Sequence, residues 1–385
     1  MSRAFDIVVM GATGYSGRLV TLELSRMGAG YRWAIAGRDK AKLEALKAEL
    51  GTDVAILVAD GKKAASLDSL CQQTGAVIGC AGPFDLVGRE LVAACVRNKT
   101  NYCDINGEVQ FMRSMVEQHH EAAKAAGVSI VHSCGFDCVP SEVGNFMMHK
   151  VAEEAGSGPL TSVHGYFRAS GGPSGGTMAT IANFYATMTA ADKSLTCLNP
   201  EEAPKVAAGE TMWMGRNTAL GGYSGPYLMA SINERLVRRS NGLEGRSASY
   251  QESTEGSFMS VLGGFVAAHM MVLLLPIGPI RNFLQRFVFP TPGTGPSDEE
   301  LAQGRFKGTF VGESASGSAV PMVEVSDRRH GYTFTGLSGA ICGILLAEGA
   351  AKGGKAVSGV VTPAVAFGQA LVDRLRAQGV VIKTL

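Results

Sequence analysis

The chain has 385 residues, 46% of them hydrophobic and only 18% charged, below the roughly 25% of an ordinary soluble domain. Its 35 Lys and Arg against 34 Asp and Glu leave a net charge of +1, which excludes disorder over most of the length and argues against a nucleic-acid binder. Glycine, at 50 residues, is about twice as frequent as usual. This length buries a large core and suggests about two domains. The eight cysteines are scattered and form no C-x-x-C pair, so they read as small buried hydrophobes of a reduced, intracellular and cytoplasmic protein. Met1–Asp6 carries no signal-peptide pattern and leads straight into a strand.

Apolar runs of strand length recur at Phe5–Met10, Trp33–Ala36, Val54–Val58, Val77–Ala81, Tyr102–Ile105 and Val128–His132. Helical stripes lie between them, such as Val20, Leu24 and Met27, or Leu43, Leu46 and Leu50. Strand–helix alternation with short loops predicts an α/β fold: a Rossmann-type, doubly wound parallel sheet covered on both faces, over residues 1–150.

The first strand ends in Gly11-Ala12-Thr13-Gly14-Tyr15-Ser16-Gly17, directly before a helix. Gly11 permits the tight turn, Gly14 lets backbone approach a pyrophosphate, and Gly17 permits close helix–strand packing. The helix N-terminus then presents N–H groups and its positive dipole end to the phosphates, with Thr13, Tyr15 and Ser16 beside them. The second strand ends in Arg38, where an NAD site would place Asp or Glu for the ribose hydroxyls. Arg38, with Lys40 and Lys42 behind it, favours the 2′-phosphate of NADP(H), although Asp39 stands next to it. Asp60 closes the third strand, either near the adenine or as a cap for the next helix. Gly82-Pro83-Phe84 follow the fourth strand at the carboxyl edge, along the nicotinamide half of the cofactor.

Past about Gly156 the βα rhythm stops. From Ala169 to Ala191 there are 23 residues without a charge, opening on a glycine–serine segment that reads as a ligand-side loop or as tight helix–sheet packing. Pro290–Pro296 reads as a connector; Ser297 and Glu300 have capping-box spacing; Phe306–Val311 and Ala319–Val325 read as strands. From Gly256 to Ile280 there are 25 uncharged residues, 16 of them apolar, with Arg281 and Arg286 immediately after. Three readings stay open: a buried helix or homodimer interface, shallow contact with a membrane or lipid surface, and a true span.

Together, Gly11–Gly17, Ala36-Gly37-Arg38, Gly82-Pro83-Phe84 and Cys134-Gly135-Phe136-Asp137 resemble the saccharopine dehydrogenase-like oxidoreductases, and within them the trans-acting enoyl reductase branch. The resemblance continues through Arg168–Thr177, Val237-Arg238-Arg239-Ser240-Asn241, Pro292-Gly293-Thr294-Gly295-Pro296 and Thr362-Pro363-Ala364. It implies an NADP-binding Rossmann domain, an inserted α+β domain for substrate and dimerisation (151–355), and a C-terminal segment (356–385) returning to the first domain. It also implies reduction of a carbon–carbon double bond in an acyl or lipid-type small molecule. The first turn departs from the Gly-x-Gly-x-x-Gly of saccharopine reductases proper, which weakens an amino-acid substrate. An amino-acid NADP dehydrogenase and a non-catalytic NADP-binding protein of lipid surfaces remain the alternatives.

No metal-ligand spacing, G-x-S-x-G elbow or Tyr-x-x-x-Lys pair is present. Reduction of an enoyl thioester needs donors for the developing enolate and then a proton. Candidates at strand ends are Tyr102, Asp104, Glu108, Ser133, Cys134 and Asp137, with Arg168 as an anchor for an anionic group. Tyr102, Asp137 and Arg168 are taken as the catalytic set. Asp137 also reads as a loop-holding carboxylate, and Arg168 as a simple ion-pair partner.

Overall fold

The computed structural model describes residues 3–171, 174–198, 213–291, 294–352 and 357–385. Gly172 and Pro173 of the glycine–serine segment, Pro292 and Gly293 of the connector, and Ala356 at the expected C-terminal return lie outside the described residues. The chain opens with β1 (Phe5–Met10), α1 (Tyr15–Met27), β2 (Trp33–Gly37), α2 (Lys40–Leu50), β3 (Ala55–Val58), α3 (Ala64–Gln72) and β4 (Thr74–Gly79). It continues with α4 (Phe84–Val87), α5 (Arg89–Arg97), β5 (Asn101–Asp104), α6 (Val109–Ala126), β6 (Ser129–Val131) and α7 (Val139–Glu154). Then come β7 (Leu160–Ser170), α8 (Gly175–Thr187), β8 (Gly215–Arg216), β9 (Tyr223–Gly225), α9 (Ala230–Leu243), β10 (Ser249–Gly256) and α10 (Phe258–Leu274). The remainder is α11 (Gly278–Phe287), α12 (Asp298–Gln303), β11 (Arg305–Ser314), β12 (Val323–Asp327), α13 (Gly331–Lys352), β13 (Gly359–Val361), α14 (Pro363–Ala377) and β14 (Val381–Thr384).

Two compact units result. The first comprises residues 1–136, 293–295 and 332–374; the second comprises 137–292, 296–331 and 375–385. In the first, seven strands run parallel in the order β13-β6-β5-β4-β1-β2-β3. Ile7, Val8 and Val9 are fully buried on both sides of β1, as a parallel strand between two helical layers requires. One layer, built on α3, α5 and α6, encloses Val8, Val77, Leu67, Val92, Phe111 and Met115. On the other side α13 comes close enough that a methyl at Gly336 would lie 2.9 Å from the Leu19 backbone, and one at Gly343 would lie 2.3 Å from Ile78. Part of the glycine excess is therefore spent on helix–sheet approach.

The expected return of the C-terminus differs in place. Chain re-enters the first unit already at Tyr332, because α13 covers the sheet and β13 pairs with β6. The last strand, β14, pairs with β12 and so belongs to the second unit.

The second unit holds a seven-stranded mixed sheet in the order β14-β12-β11-β7-β10-β9-β8. Helices α7 and α9 pack on one face. That layer is unusually polar for a core. Glu252 is fully buried and accepts hydrogen bonds from the Tyr250 hydroxyl (2.6 Å) and Asn233 Nδ2 (2.9 Å). Ser240 donates to both oxygens of buried Glu142, and Asn145 donates to Asn241 at 2.9 Å. The Val237–Asn241 motif lies in this layer: Arg238 is 1% exposed and donates to the Tyr250 carbonyl. Arg239 donates to the Leu198 carbonyl, and Arg235 to those of Lys193 and Ser194. The described end of the glycine–serine segment is a helix start: Ser174 accepts from the Thr177 N–H, and a methyl at Gly175 would meet the Thr291 carbonyl.

Burial raises the Glu252 carboxyl to about 7. In the unfolded chain it ionises near the ordinary value of about 4.3, so between these pH values the unfolded state binds fewer protons and stability falls as pH rises. We expect the thermal midpoint to drop between pH 5 and 7.5, and Glu252→Gln to flatten that drop by on the order of 5 °C in a calorimetric pH series.

Candidate functional site

Because the strands of the first sheet are parallel, every loop after a strand emerges at one edge, the carboxyl edge. The strand order reverses between β1 and β4, and such a switch point opens a crevice for ligands. The turn after β1 and the turn after β4 meet there. Gly11 takes φ +85°, and a methyl on it would lie 2.7 Å from the Ala81 nitrogen. At Gly17 a methyl would lie 2.2 Å from the Gly11 carbonyl oxygen. Neither position can hold a side chain. Hydrogen bonds from Gly11 N to Ala36 O (2.9 Å) and from Cys80 N to Met10 O (2.8 Å) fix both turns to their neighbours.

Gly14 caps α1 with no side-chain hydrogen bond, and the first turn carries no acidic residue. Thr13 and Gly14 are exposed, Tyr15 and Ser16 half-buried. An uncapped helix start with small exposed residues suits a pyrophosphate. One wall is built from distant chain: the Tyr15 ring meets Tyr332 edge-on (centroids 5.4 Å apart), and a methyl at Gly295 would lie 2.3 Å from it. Tyr332 carried no motif; Gly295 read as part of a connector and of one motif of the family resemblance.

Arg38 is exposed and has neither a hydrogen bond nor an ion pair with any described residue. Asp39 is not a competing ribose acceptor, since its carboxylate caps α2 by accepting from the Lys42 N–H at 3.2 Å. Asp60 holds its own loop: it accepts from the Lys62 N–H at 3.0 Å, while its N–H donates to Ser66 at 3.1 Å. After β4, Gly82 is exposed, Pro83 half-buried, and Phe84 buried as the first residue of α4. The uncapped α1 start, the methyl-free cradle of Gly11 and Gly17, and the unpaired Arg38 together fit NADP. Residues 13–17 could hold its pyrophosphate and Arg38 its 2′-phosphate.

Two buried carboxylates organise the neighbouring loops. Glu108 accepts from the Phe84 and Asp85 N–H groups (2.8 and 2.9 Å), which fixes the start of α4. Burial pushes its carboxyl up, and these two bonds hold the rise in check. Burial also acts to raise Asp104, but His132 (2.7 Å to Nδ1) and the N–H groups of Ser133 and Asn106 outweigh it and keep the carboxyl below its usual range. Ser133 sits at φ +61°, an uncommon conformation, held by Asp104 and by its own hydroxyl bond to the Asn106 carbonyl at 2.7 Å. His132 and Asn106 were not singled out in the sequence; their roles need the pairing of β5 with β6 to be visible.

Of the three catalytic candidates, Tyr102 is fully buried in the α3–α5–α6 layer, against Gly79 of β4. Burial pushes its hydroxyl far up, and the ring packs in the core. Arg168 is exposed and its Nε donates to Glu255 at 2.9 Å, the ion-pair reading. It lies on the sheet face opposite α7, whereas its neighbour Phe167 faces inward to Phe310 (5.6 Å), which packs over Gly144 of α7. Asp137 is half-buried and makes no hydrogen bond or ion pair with a described residue, so it does not hold its loop. Burial raises its carboxyl to about 6. Tyr227, stacked on Phe167 (4.9 Å), is its neighbour: burial, Glu252 and then Asp137 push the Tyr227 hydroxyl well up. No spacing or motif pointed to Tyr227. Within the second unit the charge of Asp137 reaches Tyr227, while Arg168 lies on the other face of the sheet, paired with Glu255.

These features define a dinucleotide-binding oxidoreductase of the Rossmann class. Residues 7–131 match the saccharopine dehydrogenase NADP binding domain family. A Mycobacterium tuberculosis protein named as a trans-acting enoyl reductase is 34% identical over 99% of this chain and 98% of its own length. The trans-acting enoyl reductase of Mycobacterium ulcerans is 30% identical over 99% and 97%. The saccharopine dehydrogenase (L-Glu forming) of Saccharomyces cerevisiae has the same fold, with a TM-score of 0.57 at 14% identity, covering 98% of this chain and 99% of its own. The chain belongs to the saccharopine dehydrogenase-like family of NADP-dependent oxidoreductases.

Arg38→Ala should raise the dissociation constant for NADPH by about 10- to 100-fold, the worth of a charge-assisted phosphate contact, and leave that for NADH within about twofold. Calorimetric titration with both nucleotides checks this; equal weakening of the two would overturn the phosphate role.

Proposed function

We propose that the protein is an NADPH-dependent reductase of the carbon–carbon double bond in an enoyl, lipid-type acyl substrate. The observation that carries the reading is the full-length relationship to proteins named trans-acting enoyl reductases, joined to an NADP-shaped switch point. NADPH, when bound, supplies the hydride. The chain's own tasks are to orient the acyl group and to deliver a proton.

Asp137 is the proposed proton donor. It follows directly on Cys134-Gly135-Phe136, the loop after β6, and is the one candidate with both a hydrogen-bond-free carboxyl and a raised pKa. Proton donation works best when the donor titrates near the working pH. Tyr227 beside it stays protonated and can donate a hydrogen bond to a carbonyl oxygen. The amino-acid alternative needs cations free to hold carboxylates. In the second unit Arg168 pairs with Glu255, and Arg235, Arg238 and Arg239 hold backbone carbonyls. Among partners, the reading requires only the acyl substrate. A second copy of the chain and a lipid surface compete for segment 256–280.

The test follows NADPH oxidation with medium- and long-chain enoyl thioesters, and with saccharopine-type imines as controls. Turnover is expected with the thioesters alone; tight NADPH binding with no turnover on any substrate would sink the reading. The donor must be protonated to act, so kcat/KM should fall as pH rises through about 6. Asp137→Asn should cost on the order of 100-fold in kcat and remove that alkaline limb.

A further inference from the structure

The uncharged segment does not end up in a core. Along α10 the only buried residue is Val261, with Leu275 buried just past its end; that edge packs on β9 and β10. Round the rest of the helix Phe258 (46%), Met259 (72%), Val266 (51%), Met270 (47%), Val272 (42%) and Leu273 (65%) are exposed. Small residues continue the exposed arc: Gly263, Gly264 and Ala267, with nothing within 4 Å of a methyl built on either glycine. Ile277, Phe283, Phe287 and Val288 extend the apolar surface beyond α10 and along α11. Large exposed apolar patches mark sites of contact with a protein or a membrane. The buried-helix reading is thereby overturned. So is the span: among the described residues no helix is long and apolar enough to cross a membrane.

We propose that α10 and α11 form a docking surface for an anionic phospholipid membrane, lying in the plane of its interface. Three observations select this occupant. The exposed side chains run round most of α10, and fluid hydrocarbon covers a curved apolar surface that a flat protein face would meet along one side only. Helix α11 is amphipathic, with Ile280, Phe283, Leu284 and Phe287 at helical spacing and Arg281, Asn282, Gln285 and Arg286 between them. Between Glu255 and Asp298 the only charged side chains are Arg281 and Arg286. Arg281 donates to the Leu275 carbonyl at the end of α10, and the Arg286 guanidinium lies over the Phe287 ring at 5.3 Å, so both cations sit at the rim of the apolar surface. There they meet lipid phosphates. A second copy using the same segment would offer these cations no carboxylate, since none lies between Glu255 and Asp298.

This proposal goes beyond the enoyl chemistry and rests on exposure and charge alone. Its test is co-sedimentation of the full-length protein with vesicles of phosphatidylcholine, with and without 30% phosphatidylglycerol. Expected is pelleting with the anionic vesicles, weakened about fivefold by Arg286→Glu and abolished by Met259→Asp with Leu273→Asp. All variants should keep NADPH affinity and helical circular dichroism, since the changed residues are exposed and lie in the second unit. No pelleting, equal pelleting with both vesicle types, or a dimer in sedimentation equilibrium that the double substitution dissociates would each overturn it. Thioester turnover measured on the same samples reads the reductase proposal separately, so failure of one is not failure of the other.

Discussion

Between Gly11 and Ala81 there is no room for a methyl group, and the first unit is arranged around that approach. It brings the turns after β1 and β4 together where the strand order reverses. With them come the N-terminus of α1 and the Gly82–Phe84 segment, the two ends a dinucleotide must reach. Gly17 repeats the constraint between helix and turn. Arg38 can stay unpaired because the turn is held by backbone bonds to Ala36 and needs no help from its side chain.

The second unit reverses the usual distribution of polar and apolar groups. Its interior contains Glu252, Glu142, Asn145, Asn233 and Arg238, nearly all joined by hydrogen bonds, while its outer helix α10 carries Met, Val and Leu into water. Satisfied buried networks cost little once every member is paired, and they specify one packing of α7 and α9 on the sheet. An exposed apolar helix, by contrast, is unfavourable until something covers it.

Legibility followed the range of the interaction. Six of the seven strands of the first unit were readable to within a few residues, since each is a local apolar run between turn residues; β13 was not. The glycine turn was readable because its glycines have steric causes within a short span of chain. Arg38 could be assigned because its position is set by distance along one βα unit. Where Tyr102 points was not legible: lying at a strand end is not the same as pointing out of the sheet, and only the packing of Gly79 against its ring reveals the direction. His132, Asn106 and Tyr227 carry no local signature at all.

Sequence alone determined the class of fold and the cofactor type, because periodicity, a seven-residue turn and one cation are local chemistry that survives without knowing the rest; the family came from the resemblance of motifs spread along the chain. It also marked residues 256–280 as unusual but left three destinations for them. Tertiary structure decided which: the same apolar residues would make a core helix if other elements packed round them, and here only the Val261–Leu275 edge is covered. It also showed that Arg168 is paired with Glu255 while Asp137 is not paired, and that Tyr102 is fully buried. Burial and pairing are properties of what chain folding brings alongside a residue, and no single stretch of sequence contains its own neighbours.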